Sequence, residues 1–317
     1  MRRILLCVFL GIMTSAPLAS AQNQNAAITH LSDLSRQNQI PQLIEAANSL
    51  FTNEKLSPPE QAIVFTFLAH AHKELGDFHQ ATAEYEKALA ILERDGAHAV
   101  EYATALAALG ILYADTGQTD AAKHMLLRSV HLLEKDGNQH AETAWLWNDL
   151  ATIAADERSN REAHKCMTHA LAELRLVPDP SPDETLTITT TQAKIAQIDS
   201  DSSAAIAGYQ KALSLSKQIH GEQHPQTAML YVLLGDAYLE AGDIASARQM
   251  TTRGLSLLEE SSSRQSRRYL AAQLAYSKIL DASGFHDEAS KLRKEAQTAM
   301  KTETTRTQGE ISIAALR

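Results

Sequence analysis

The chain has 317 residues, 29 basic against 38 acidic for a net charge of −9, and is 44% hydrophobic but only 5% aromatic. That balance excludes nucleic acid and anionic lipid surfaces as natural partners, because both need clustered Lys and Arg, and the basic runs at 264–268 and 291–294 are short enough to be solvated helix surface. With only 13 Gly and 8 Pro among long stretches of Ala, Leu, Glu, Gln and Lys, an all-α chain is expected.

At the N-terminus, Arg2 and Arg3 precede the apolar run Ile4 to Met13, and Ala19-Ser20-Ala21 forms an A-x-A pattern before Gln22. Together these read as a secretory signal peptide over residues 1–21, cut after Ala21, and so as export to the periplasm or the medium. The run is shorter than the ~20 residues a membrane span needs. Cys7 lies inside it, where it cannot serve as a lipid-anchor site after cleavage. Loss of this segment removes two basic residues and no acids, leaving 27 against 38 and a net charge of −11. Cys166 is then the sole cysteine, so no intramolecular disulfide is available, and the residue reads as a buried apolar filler.

Residues 22–61 form a degenerate helical hairpin with Leu34, Ile40, Leu43, Ala47 and Leu50, and a regular array follows over 62–297. Its first clear copy has Leu68, Ala69 and His72, then Gly76-Asp77-Phe78, then Ala81, Tyr85, Ala88 and Leu89. Later copies carry Leu109-Gly110, Tyr113 and Gly117; Leu150-Ala151 and Ala163; Ala193, Ala205 and Tyr209; Leu234-Gly235, Tyr238 and Gly242-Asp243; and Ser277, Gly284-Phe285 and Ala289. The small residue falls at 69, 110, 151, 193, 235 and 277, a period of 41 to 42. Small residues recurring at that interval mark where two antiparallel helices cross closely. In the third and fourth copies the turn glycine is replaced by Arg158 and Ser200.

This pattern resembles the tetratricopeptide repeat, whose helix pairs are joined by a Gly-Asp-aromatic turn. Gly221-Glu222-Gln223-His224-Pro225 before Ala228, and Asn148-Asp149-Leu150-Ala151, are similar to the kinesin-light-chain-type repeat. The resemblance spans roughly residues 28 to 297. It implies an α-α superhelix, a right-handed solenoid of about six to seven hairpins with the first helices lining a concave face. The three prolines of Val177 to Pro182 interrupt the array as either a hinge or a rigid loop within 176–185. Residues 298–317 read as a polar tail expected to be disordered.

Chemistry is sparse. The chain lacks the phosphate loop G-x-x-x-x-G-K-S/T, G-x-G-x-x-G, G-x-S-x-G, H-E-x-x-H and C-x-x-C, so neither catalysis nor a cofactor is expected. His70 and His72, His124 and His131, and His164 and His169 all miss the i, i+4 spacing that brings two imidazoles to one metal. The resemblance assigns the groove to fixed first-helix positions: Phe67, His70 and Lys73; Trp145, Asn148, Asp149 and Thr152; Lys194; Met229 and Leu233; and Lys278. Only Lys73, Lys194 and Lys278 among these are basic, so a cationic clamp for a peptide's terminal carboxylate is disfavoured. The expectation is a non-catalytic scaffold holding an extended protein or peptide segment with apolar side chains. The alternative is a structural component that self-associates as a homo-oligomer or supports an envelope assembly. An enzyme with an unrecognised site is the third reading.

Overall fold

The computed structural model describes residues 20–37, 39–53, 56–96, 99–261 and 266–314; most of the expected signal segment lies outside them. Among the described residues the chain forms fourteen helices and no strand. In order they are α1 (Ser20–Arg36), α2 (Ile40–Asn53), α3 (Pro58–Leu75), α4 (Phe78–Asp95), α5 (Ala99–Asp115), α6 (Thr119–Asp136) and α7 (His140–Asp156). They continue as α8 (Asn160–Leu174), α9 (Pro182–Ile198), α10 (Ser202–His220), α11 (Pro225–Glu240), α12 (Ile244–Ser261), α13 (Arg267–Ala282) and α14 (His286–Ala314). The chain divides at Leu150–Ala151 into two compact units.

In the first unit, Ile28, Leu31 and Leu34 of α1 and Leu43 and Ala47 of α2 pack on Val64, Phe67, Leu68 and Ala71 of α3. Helix α3 pairs with α4 and α5 with α6, and α4 also packs on α5. A lone hairpin leaves one apolar face in water, and stacking on the next buries it. Thus Ala69 and Tyr85 share a cluster with Ala108, Leu109 and Leu112 of the following hairpin. The second unit repeats the scheme: α9 pairs with α10 and α11 with α12. Tyr209, Ala212, Leu230, Leu234, Leu257 and Leu258 lie in its core.

The recurring small residues sit buried where the helices of a hairpin cross. Ala69 and Ala151 are fully buried and Ser277 is 1% exposed. A methyl group on Gly235 would sit 2.1 Å from the Thr251 hydroxyl and 3.0 Å from the Ala247 carbonyl, and one on Gly208 would lie 2.7 Å from the Ala193 methyl. No rotamer relieves a clash with backbone, so at Gly235 and at the Gly208–Ala193 contact the helices approach at this distance only because the side chains are hydrogen or methyl.

Each hairpin turn has the same hydrogen bonds. Gly76 N–H donates to the Lys73 carbonyl and Asp77 N–H to the His72 carbonyl, and Gly242 and Asp243 repeat this to Leu239 and Tyr238. The glycines adopt φ of 83° at Gly76, 81° at Gly242 and 85° at Gly284. Arg158 and Ser200 take φ of 55° and 64°, with the same bonding from Arg158 to Ala155 and from Ser200 to Gln197. The turn therefore survives loss of its glycine, and packing of the flanking helices holds two L-residues in the left-handed region. The proline-rich segment ends at a capped helix start: Ser181 N–H donates to the Glu184 carboxylate at 2.6 Å, Glu184 N–H to the Ser181 hydroxyl at 3.2 Å, and Pro182 is the first residue of α9.

Left-handed strain of about 1 kcal/mol at each non-glycine turn outweighs the added unfolded-state freedom of glycine. The double variant Arg158→Gly, Ser200→Gly is expected to be more stable by about 0.5–1 kcal/mol, read as a higher urea midpoint at unchanged slope. An unchanged or lower midpoint would show that these turns carry no strain.

Candidate functional site

Taken along the first helices, the expected groove residues fall into two groups. Phe67 is 4% exposed, in the core formed by α1 to α3, and Asn148 is 1% exposed. Neither presents a surface to a partner, because neighbouring helices already cover both. His70, Trp145, Thr152, Lys194, Met229 and Leu233 are half-buried, and Lys278 is exposed. Met229 and Leu233, one helical turn apart on α11, rest against the core of the second unit. Trp147 beside Trp145 is buried and donates its indole N–H to Glu134 at 3.3 Å.

The three cations of this face are all engaged by a neighbouring repeat. Lys73 Nζ is 2.6 Å from Asp115 Oδ2. Lys194 pairs with Asp156. Lys278 Nζ donates to Asp236 Oδ1 at 3.0 Å, while the other oxygen of Asp236 accepts from Gln197 Nε2 at 3.2 Å. Gln197 in turn accepts from the buried Tyr209 hydroxyl at 3.1 Å. The Thr152 and Thr191 hydroxyls, 3.1 Å apart, form another such link. Exposed ion pairs add little stability. Their consequence here is electrostatic: each ammonium is neutralised by an adjacent carboxylate, so an incoming carboxylate meets a balanced surface. Sequence reasoning overlooked Asp115 and Asp156 as members of this face; a search one repeat away from each groove lysine would have found them.

Asp149, four residues beyond Trp145 on α7, differs from these. Its Oδ2 is sealed from solvent and meets no hydrogen-bond partner among the described residues. Burial foremost, against the lowering pull of nearby positive charge that includes Lys73, pushes its pKa up to about 7.

The remaining polar clusters are structural. His72 Nδ1 lies 2.8 Å from Glu84, which also accepts from Gln80. His164 contacts Asp199 at 2.7 Å, beside Asn160. In the Gly221–Pro225 run, Glu222 accepts from the Tyr231 hydroxyl at 2.7 Å and from Arg253 at 3.3 Å. The Tyr231 bond foremost, with Lys217 and Arg253 against a smaller desolvation cost, holds the Glu222 carboxyl below its usual range. Thr227 donates to the Gly221 carbonyl at 2.8 Å, and His224 caps α11 by accepting from Gln226 N–H. The run is thus a brace for the start of α11. Among the described residues no group of three or more His, Cys, Asp or Glu side chains comes together to hold a metal, and no helix is long and apolar enough to cross a membrane.

This repeated geometry of close crossing, left-handed turn and inter-repeat bridge accords with the sequence profiles that match. A tetratricopeptide repeat profile covers residues 60–135, and that of the MalT-like TPR region covers 152–317, more than half of the chain. The chain belongs to the tetratricopeptide repeat family. Similar solved TPR-type folds include apo RapI, at 14% identity and a TM-score of 0.66, over 88% of this chain and 99% of that one. A Rap protein complexed with Competence and Sporulation Factor aligns at 13% identity and a TM-score of 0.68, over 92% and 89%. A tetratricopeptide repeat protein from Parabacteroides merdae aligns at 15% identity and a TM-score of 0.54, over 90% and 99%. No curated protein matches in sequence. The chain is a TPR-type helical repeat scaffold.

Because the folded-state pKa of Asp149 is raised, the folded chain binds a proton more tightly than the unfolded chain. The stability this proton confers is complete below about pH 4 and is lost as pH rises towards 7. Asp149→Asn, which cannot ionise, is expected to match the parent near pH 3.5 and to exceed it at pH 8 by about 1–3 kcal/mol in denaturant unfolding. Equal stability at both pH values would place Asp149 in water.

Proposed function

We propose that this TPR scaffold acts outside the cytoplasm and, without catalysis, holds an extended segment of a protein partner along the inner face of its first helices. The observation that carries this reading is the lining of the first helices within each unit: half-buried side chains, Trp145 in the first unit and Met229 and Leu233 in the second, with each groove lysine already matched to an acid from the adjacent hairpin. Such a surface favours side-chain packing and backbone contacts over charge. A Rap protein of the same fold was solved with Competence and Sporulation Factor bound, in keeping with a partner of this kind. Export is supported by Arg2, Arg3, the apolar run and the Ala19-Ser20-Ala21 site.

The test starts from protein expressed in its source cells and recovered from the extracytoplasmic fraction, which should begin at Gln22 by mass spectrometry. Panned against a random peptide library, it should select peptides whose affinity falls at least tenfold in Trp145→Ala or Leu233→Ser and holds in Lys211→Ala on the outward α10. Peptides indifferent to both inner substitutions would refute the groove, and retention of the intact N-terminus inside the cell would refute export.

A further inference from the structure

We propose that His224 is an acid-sensitive fastening for the start of α11, closed while its imidazole is neutral and released when the ring is protonated. His224 immediately precedes the helix, and Pro225 after it has no N–H, so the first donor of α11 is the Gln226 N–H. That N–H donates to His224 Nδ1 at 3.2 Å. A backbone amide can only donate, so Nδ1 presents its lone pair, and the ring is neutral with its proton on Nε2. Protonation would turn this acceptor into a donor facing a donor, and would set a positive charge against the positive end of a 16-residue helix. Both effects oppose the charged ring.

A second imidazole sharpens the response. The ring of His220, the last residue of α10, lies 4.6 Å from that of His224 between centroids, tilted by 30°. The His220 side chain is 1% exposed, and its Nε2 is 2.9 Å from Asp183 Oδ1 in the first turn of α9. Contact with that carboxylate gives the first proton to His220. Two imidazolium rings at this spacing repel, so a further proton on His224 works against its neighbour as well as its cap. The other charges around the pair are committed. Glu184 of α9 accepts from Ser181 N–H, and Glu222 is held by Tyr231 of α11, Lys217 of α10 at 3.1 Å and Arg253 of α12 at 3.3 Å. The cap therefore contributes stability above about pH 6.5, where a free imidazole is neutral, and loses it as the pH falls. Met229 lies one turn into α11, so acid would loosen the inner face there. That consequence rests on the groove role proposed above; the fastening itself does not.

Hydrogen exchange of the full chain at pH 7.5 and 5.0, followed amide by amide by NMR and expressed as protection relative to unstructured peptide, tests the fastening. In the parent, protection of Gln226 to Met229 is expected to fall by about fivefold or more at the lower pH, the effect of losing one N-cap, while Ala122 to Val130 on α6 hold within about twofold. His224→Asn, whose side chain caps at either pH, is expected to hold within about twofold at the start of α11 as well. His224→Ser serves if that variant loses helical circular dichroism. His220→Gln is expected to keep the fall and to centre it about 0.3 pH unit or more higher, because a repelling charge is gone. Equal protection of the parent at both pH values overturns the proposal, as does a fall that persists in His224→Asn. A midpoint unmoved or lowered in His220→Gln overturns the coupling of the two rings.

Discussion

Two helices lie flat against each other only where neither backbone is held off by a side chain, and that steric limit, met again and again along this chain, governs everything else about it. At Gly235 the partner helix is so near that one methyl group would overlap the Thr251 hydroxyl. Once the crossing point is set, the first helix of each hairpin presents one face inwards, and within each unit the inner residues of successive repeats line up at intervals of about one period. Lys73 faces Asp115, and Asp236 faces Lys278, because 42 residues separate each pair.

Those alignments decide what kind of ligand suits the face. TPR grooves that clamp a terminal carboxylate do so with uncommitted Lys, Arg and Asn, whereas here the lysines are matched by acids from adjoining hairpins. What the first helices leave to a partner is half-buried apolar surface, at Trp145 in the first unit and at Met229 and Leu233 in the second. The chemistry on offer is therefore side-chain packing, the reverse of a cationic clamp.

Much of this was legible before any coordinates. The period of small residues carried the fold because it encodes sterics, which survive wide sequence change. The turns at Arg158 and Ser200 departed from the expected glycine, yet the backbone there is the same, with the left-handed φ and the turn hydrogen bonds of the glycine copies. Burial was less legible. Register places Phe67 on the first helix of its hairpin, but not the presence of Leu31 and Leu43 packed with it, and Asn148 gives no sequence signal that it is sealed. The charge state of Asp149 depends on desolvation by parts of the chain distant in sequence, which no local motif encodes.

The central claim is that the inner-face lysines are neutralised from within, so that a carboxylate gains nothing there. Calorimetric titration at low salt, where charge effects are least screened, compares one groove-binding peptide synthesised with a free C-terminal carboxylate and with a C-terminal amide. Dissociation constants within about twofold of each other are expected, since a tenfold gap would require about 1.4 kcal/mol of net attraction. A free acid bound tenfold or more tightly than the amide would contradict neutralisation from within, showing that Lys73, Lys194 or Lys278 leaves its aspartate to serve the ligand.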